Sequence, residues 1–212
     1  MKRLLIIDDH QVVRDGVRHI LDEQHVPFEM GEADSPRIAL KKLGEQDWDM
    51  VILDLALGER SGLEVLMEMK RMRPKLPVLV LSMHSELQYA RRAFKGGASG
   101  YITKDCSRAE LAAAINKVLN GGKYVSPKLA EELVTHMERG TDRPPHEELS
   151  DREFEVMRLI ASGKTVGQIA ELLSLSDKTI STYRARILEK LGMKTNAEIT
   201  HYAIQNKLTF EP

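Results

Sequence analysis

Over residues 1–122, short apolar runs alternate with longer stretches whose apolar positions recur at helical spacing. The runs at 3–8, 28–31, 50–54, 78–82 and 100–103 read as strands, the most aliphatic of them buried on both faces. The amphipathic stretches near 11–23, 35–46, 62–72, 86–96 and 107–120 predict helices. Their starts are marked. Ser35-Pro36 sets a cap residue before a first-turn proline. Ser61-Gly-Leu-Glu64 and Ser107-Arg-Ala-Glu110 both have the spacing of a capping box. Five βα units of this length predict an α/β fold, a doubly wound five-stranded parallel sheet with helices on both faces.

The pattern changes after residue 122. Ser126-Pro127 begins a short helical stretch to about Met137. ERGTDRPPHEE then carries no aliphatic residue and two consecutive prolines, which is linker composition. From Leu149 on, the periodicity is helical only. Ser150-Asp-Arg-Glu153 is a further capping box and opens a helix that ends near Gly163. A second helix is expected at 165–173, a third at 178–191 after the turn SLSD, and a fourth, capped by Thr195-Asn-Ala-Glu198, at 196–206. The expected organisation is a first domain at 1–122, a linker helix and loop at 123–148, and a small all-α four-helix domain at 149–212.

Composition narrows the class. Charged residues make up 30% of the chain and hydrophobic ones 42%, which fits a folded globular protein and not a disordered one. No apolar run approaches the ~18 residues that span a membrane, and MKRLLIIDD meets acids before a secretory apolar segment forms. The single cysteine, Cys106, allows no internal disulfide. A cytoplasmic protein without a membrane partner is expected. The net charge of −1 points to no partner by itself.

The strand ends carry the chemistry. Ligands of a doubly wound sheet sit beyond the carboxyl ends of its strands. There the sequence places Asp8 and Asp9 after the first strand, Asp54 at the end of the third, Ser82 at the end of the fourth, and Lys104 after the fifth. An acid pair after a strand is often a helix cap, and a lysine there is usually solvated. The coincidence of five such groups on one edge predicts a site instead. Three neighbouring carboxylates repel unless a cation lies among them, and hard oxygen donors favour Mg2+. One carboxylate can then attack phosphorus, and Asp54, ending the central strand, is the better nucleophile. Lys104 and the metal would neutralise charge on the transferring group, and Ser82 would hydrogen-bond it.

IIDDH, VILDLALGERSGLEVL, VLVLSMHSE and GASGYITKD, in that order, resemble the receiver domain of two-component response regulators over about residues 2–122. The resemblance implies a flavodoxin-like receiver whose Asp54 accepts a phosphoryl group from a sensor histidine kinase. It implies Mg2+ on Asp9 and Asp54 and on the backbone carbonyl of Ala56, with Asp8 assisting through water. It also implies a switch pair, Ser82 and Tyr101, whose hydroxyl moves toward the phosphate while the aromatic ring swings inward. Lys104 would bridge to the phosphate. One departure stands out: Gly58 occupies the position four residues after Asp54 where this family usually has proline. A looser loop and an altered phosphoryl lifetime are expected there.

In the helical tail, Ile169, Ala170, Leu173, Leu175, Ile180 and Tyr183 fall where a helix-turn-helix packs its two helices together. The core face of the third helix is Ile180, Tyr183, Ile187 and Leu191. Lys178, Ser181, Thr182 and Ala185 face away, flanked by Arg184 and Arg186, a mixed polar and basic face suited to a major groove. Charge adds little. Residues 149–212 hold nine Lys/Arg against eight Asp/Glu, and only 177–190, with four positive and two negative charges, is locally basic. Residues 149–208 resemble the LuxR-type helix-turn-helix of the NarL/FixJ response regulators, through Ser-Asp-Arg-Glu, Gly-Lys-Thr, Lys-Leu-Gly and Asn-Ala-Glu. The resemblance implies base contacts from Ser181, Thr182 and Ala185. Arg184, Arg186, Lys178 and Lys190 are expected at phosphates of double-stranded promoter DNA. The fourth helix is where relatives pair two copies.

The expected function is therefore a DNA-binding transcriptional regulator, switched by phosphorylation of Asp54 and acting as a homodimer on paired half-sites. It is not an enzyme beyond accepting a phosphoryl group and slowly losing it. Two alternatives belong to other classes. One is a DNA binder that ignores phosphate. The other is a magnesium-dependent aspartyl phosphatase, disfavoured because Ala56 stands where such an enzyme needs a general acid.

Overall fold

The computed structural model describes residues 1–23, 27–57, 61–83, 87–138, 144–206 and 208–209, with side chains of the helix at 127–138 described through 135. Gly58, the departure noted above, lies outside the described residues. Two compact units form, Met1–Arg139 and Gly140–Pro212.

In the first unit the strands are β1 (Lys2–Ile7), β2 (Phe28–Ala33), β3 (Met50–Asp54), β4 (Val78–Ser82) and β5 (Gly100–Thr103), all parallel in the order β2-β1-β3-β4-β5. The helices are α1 (Gln11–Asp22), α2 (Pro36–Glu45), α3 (Gly62–Met72), α4 (Leu87–Lys95), α5 (Arg108–Leu119) and α6 (Pro127–Glu138). α1 and α5 cover one face of the sheet, while α2 and α3 cover the other. Alternate strand residues serve the two faces. Leu4, Ile6, Met50, Ile52, Leu79 and Leu81 pack under Val17, Ile20 and Leu21 of α1 and under Leu111, Ala114, Ile115 and Val118 of α5. Their neighbours Leu5, Ile7, Val51, Leu53, Val78 and Val80 are equally buried. Each such side chain contributes roughly 1.5–3 kcal/mol of burial, which is why β1, β3 and β4 form the middle of the sheet.

Two local expectations change. β2 runs to Ala33, beyond the expected end at 31, because Glu32 and Ala33 pair with Ile6 and Ile7. Gly31 within it accommodates Trp48: a Cβ there would lie 2.1 Å from the indole ring. Ser61 stands at the N-cap of α3, but its hydroxyl makes no cap hydrogen bond, whereas the boxes at Ser107, Ser150 and Thr195 all close.

The second unit contains a short 3-10 turn (Pro145–Glu148), then α7 (Asp151–Ala161), α8 (Val166–Leu172), α9 (Asp177–Leu191) and α10 (Asn196–Gln205). α7 packs against α8, α9 and α10, and Phe154, Val156, Met157 and Ile160 of α7, Ile169 and Ala170 of α8, Ile180 and Ile187 of α9, and Ile199 and Ala203 of α10 are all buried. The segment read as linker is partly ordered into both units. Leu129 of α6 is buried in the first, and His146 of the 3-10 turn in the second. His146 Nδ1 lies 2.8 Å from the Tyr202 hydroxyl, and its ring packs on Phe154. Nothing in the charged composition of 138–148 signals this packing.

Candidate phosphoacceptor site and DNA-reading helix

β1 and β3 are adjacent and in register, Ile7 opposite Leu53, so the residues that follow emerge side by side. Asp8, at the end of β1, and Asp54 are each 1% exposed, while Asp9 faces solvent. Ligand atoms of Asp8, Asp9, His10 and Asp54 all lie within 4.8 Å of one another. Such a donor set could hold a metal ion. Carboxylate oxygens dominate it, and they suit a hard divalent cation. His10 is a neighbour that the sequence reading did not single out. Its Nδ1 is 2.6 Å from Asp9 Oδ1, and its backbone N–H donates to Asp8 Oδ1 at 2.9 Å.

Lys104 joins the acids. Its Nζ donates to Asp54 Oδ2 at 2.7 Å and sits 2.7 Å from Asp8 Oδ2. The other Asp54 oxygen accepts the Ala56 N–H at 3.2 Å. Burial pushes the Asp54 carboxyl above the usual carboxylate range. The Lys104 hydrogen bond and charge pull it back only in part, and the Asp8 charge adds to the rise. For Lys104, burial alone would lower the pKa, but hydrogen bonds to Asp54 and Asp8 reverse this and leave it raised. The ammonium is therefore fixed in its charged form among the acids.

Ser82 ends β4 one residue past Leu81, the partner of Asp54, and its carbonyl accepts the Lys104 N–H at 2.8 Å. Tyr101 lies on β5 opposite Val80. Its ring, expected to swing inward on phosphorylation, is already buried, at 1% exposure. The acid turn has a brace that the sequence reading missed. Arg14 Nη1 donates to the Asp8 carbonyl at 2.8 Å and its Nε to Glu32 Oε2 at 2.9 Å. Glu32 also pairs with Arg18. The Arg14 hydrogen bond is the main cause that holds the Glu32 carboxyl below its ordinary value. Cys106, half-buried, has its thiol pushed up to about 11 by burial, so it is not a nucleophile near neutral pH.

In the second unit, Lys178, Ser181, Thr182, Ala185 and Arg186 of α9 are exposed on the face opposite buried Ile180 and Ile187. Tyr183 and Leu191, expected on the core face, are half-buried. The Thr182 hydroxyl donates to the Lys178 carbonyl at 2.9 Å. Two of the expected phosphate contacts are already engaged within the unit. Arg184 Nε donates to Asn196 Oδ1 at 2.6 Å. Lys190 Nζ donates to Glu153 Oε2 at 2.6 Å and to the Glu148 carbonyl at 3.3 Å, so it ties α9 to α7 and to the 3-10 turn. A buried carboxylate is a stronger partner for it than open solvent.

Comparison with known proteins agrees with this geometry. Residues 4–116 match the response regulator receiver domain, and residues 147–203 match the bacterial regulatory proteins of the luxR family. The chain is 32% identical over 209 residues to the response regulator UvrY of Escherichia coli, covering 98% of this chain and 96% of the relative. It is 33% identical over 207 residues to the response regulator GacA of Pseudomonas syringae pv. syringae, covering 97% of each. Among solved structures, RcsB from Salmonella enterica serovar Typhimurium, bound to a promoter in the presence of phosphomimetic BeF3-, matches with a TM-score of 0.65 and 26% identity over 98% of each chain. A receiver fold with an acidic edge, followed by a helix-turn-helix unit, defines a two-component response regulator. The chain belongs to that family, in its LuxR-type DNA-binding branch. Among the described residues, no helix is long and apolar enough to cross a membrane.

Proposed function

We propose that this chain is a transcriptional regulator switched by phosphoryl transfer to Asp54. The observation that carries the reading is the placement of one buried carboxylate, Asp54, against Lys104 and within ligand distance of Asp8 and Asp9. The donor is a phosphohistidine of a sensor kinase. An Asp54 oxygen attacks phosphorus, the P–N bond breaks, and the imidazole leaves with the electron pair. Lys104 neutralises charge on the transferring oxygens, and Ser82 donates a hydrogen bond to them. Asp9, Asp54 and the Ala56 carbonyl would hold Mg2+, with Asp8 assisting. When bound, the ion supplies charge neutralisation at the phosphoryl oxygens.

Ser181, Thr182 and Ala185 read base edges, and Lys178 and Arg186 meet phosphates, with Arg184 following once it exchanges Asn196 for a phosphate. Two copies bind paired half-sites about one helical turn apart. With Ala56 in place of a general acid, turnover of small phosphoesters is not part of the function.

A second reading, DNA binding independent of phosphate, rests on one departure: Gly58 stands where the family usually carries proline. Fluorescence anisotropy on promoter DNA separates the two. Acetyl phosphate with Mg2+ should raise the affinity and dimerisation of the wild type and leave Asp54→Asn unchanged. Equal behaviour of the two proteins after that treatment contradicts the switch and favours the second reading.

A further inference from the structure

Arg152 and Glu153 are adjacent on the first turn of α7, and their side chains hold opposite ends of the reading unit. Arg152, 5% exposed, donates from Nη2 to the carbonyl of Leu173, the residue that ends α8 just before the turn into α9. Its Nη1 is fixed by Glu155 Oε2 at 2.6 Å. Glu153, 3% exposed, accepts Lys190 from the last turn of α9 while also accepting the Ser150 N–H in the capping box. One helical turn thus grips both the end of α8, from which the chain turns into α9, and the last turn of α9.

We infer that Arg152, Glu153 and Lys190 are positioning residues for sequence reading: they fix the tilt of α9 and touch no DNA themselves. The inference rests on the DNA-binding reading above. Its physical basis is leverage. α9 has 15 residues, so it is about 22 Å long, and a tilt of about 5° displaces one end by roughly 2 Å. A hydrogen bond to a base edge has a working range of about 0.5 Å. Burial of Ile180 and Ile187 holds α9 against the core but resists such a tilt weakly, because apolar contacts are non-directional. The two polar holds are directional; one grips the end of α8, where the chain turns toward α9, and the other the last turn of α9. Non-specific binding depends on diffuse charge and tolerates the tilt; base readout does not.

The test uses the full chain and two duplexes: one selected by the wild type from random sequence, and one with that sequence shuffled. Lys190→Met, Lys190→Arg and the pair Glu153→Gln with Lys190→Met are compared, the pair because it leaves no buried charge without a partner and so keeps the unit folded. Expected results are a roughly tenfold loss of affinity for the selected duplex in Lys190→Met and in the pair, little change on the shuffled duplex, an unaltered salt slope, and recovery in Lys190→Arg. A salt slope reduced by about 0.9, with equal losses on both duplexes, would show Lys190 at a phosphate and overturn the inference. Unchanged affinity on both duplexes overturns it as well. A wild type that selects no duplex overturns both this inference and the DNA-binding reading.

Discussion

Lys104 Nζ lies 2.7 Å from Asp54 Oδ2, in a place where the lysine side chain is 9% exposed and the aspartate side chain fully buried. The same ammonium reaches Asp8 at an equal distance, so a single cation holds two buried carboxyls together. Removing it leaves those carboxyls without their shared partner. Lys104→Met should lower stability by about 3 kcal/mol without metal, and added Mg2+ should recover a large part of the loss. It should also slow phosphorylation of Asp54 by about 10²–10³-fold. Thermal melts with and without Mg2+, and single-turnover phosphorylation, check both.

Gly62 sets how closely α3 approaches the end of β3. A Cβ at this position would lie 2.4 Å from Leu55 Cα and 2.5 Å from the Asp54 carbonyl oxygen, both backbone atoms that cannot rotate away. Gly62→Ala should therefore cost about 1–3 kcal/mol and shift the Asp54 backbone. Phosphorylation should fall with it, whereas Gly16→Ala on α1, with nothing within 4 Å, should leave phosphorylation intact. Melting temperature and acetyl phosphate labelling of the two variants make the comparison.

The parts of this architecture that were legible in the sequence are those set by short-range chemistry. MVILD and VLVLS are fully buried strands because their residues have no polar face to expose, and both keep the expected limits. Asp8, Asp9, Asp54 and Lys104 could be placed on one edge because a parallel sheet brings the ends of its strands together. What stayed hidden depends on partners distant along the chain. The tie between Lys190 and Glu153 was hidden because the two lie 37 positions apart. Arg14 went unnoticed because its partner Glu32 lies on β2, 18 positions further on. Ser61 had the spacing of a capping box, yet the bridge between Ala56 and Ser61 and the Gly62 N–H bond to the Leu55 carbonyl set the start of α3 instead. One missed feature was readable: Thr165-Val-Gly-Gln168 has capping-box spacing, and the box closes.

The Glu153–Lys190 pair gives the second unit a pH dependence of known sign. Burial alone would raise the Glu153 carboxyl, but the Lys190 hydrogen bond and the Ser150 cap outweigh it and leave the pKa below the ordinary 4.5. A depressed carboxyl contributes stability that is present above its unfolded value and lost as pH falls through its folded value. Hydrogen-exchange protection of α7 and α9 should thus fall as the pH drops below about 4.5. Lys190→Met should show less protection at neutral pH and a shallower fall.

Ser174 joins α8 to α9 with φ of 53°, a left-handed conformation that L side chains rarely adopt. The strain costs roughly 1–2 kcal/mol, and glycine removes it while adding roughly 0.5–1 kcal/mol of unfolded-state entropy. Ser174→Gly should stabilise the second unit by about 0.5 kcal/mol, without altering salt dependence on DNA. Denaturant titration followed by exchange of α9 amides reads the change.

The most direct test of the account is the intact mass of the protein after incubation with acetyl phosphate and Mg2+. Wild type should gain one phosphoryl group, the gain should vanish when Mg2+ is chelated beforehand, and Asp54→Ala should gain nothing. A wild type that never takes up phosphate, or an Asp54→Ala protein labelled as fully as wild type, would contradict the assignment of Asp54 and the switch built on it.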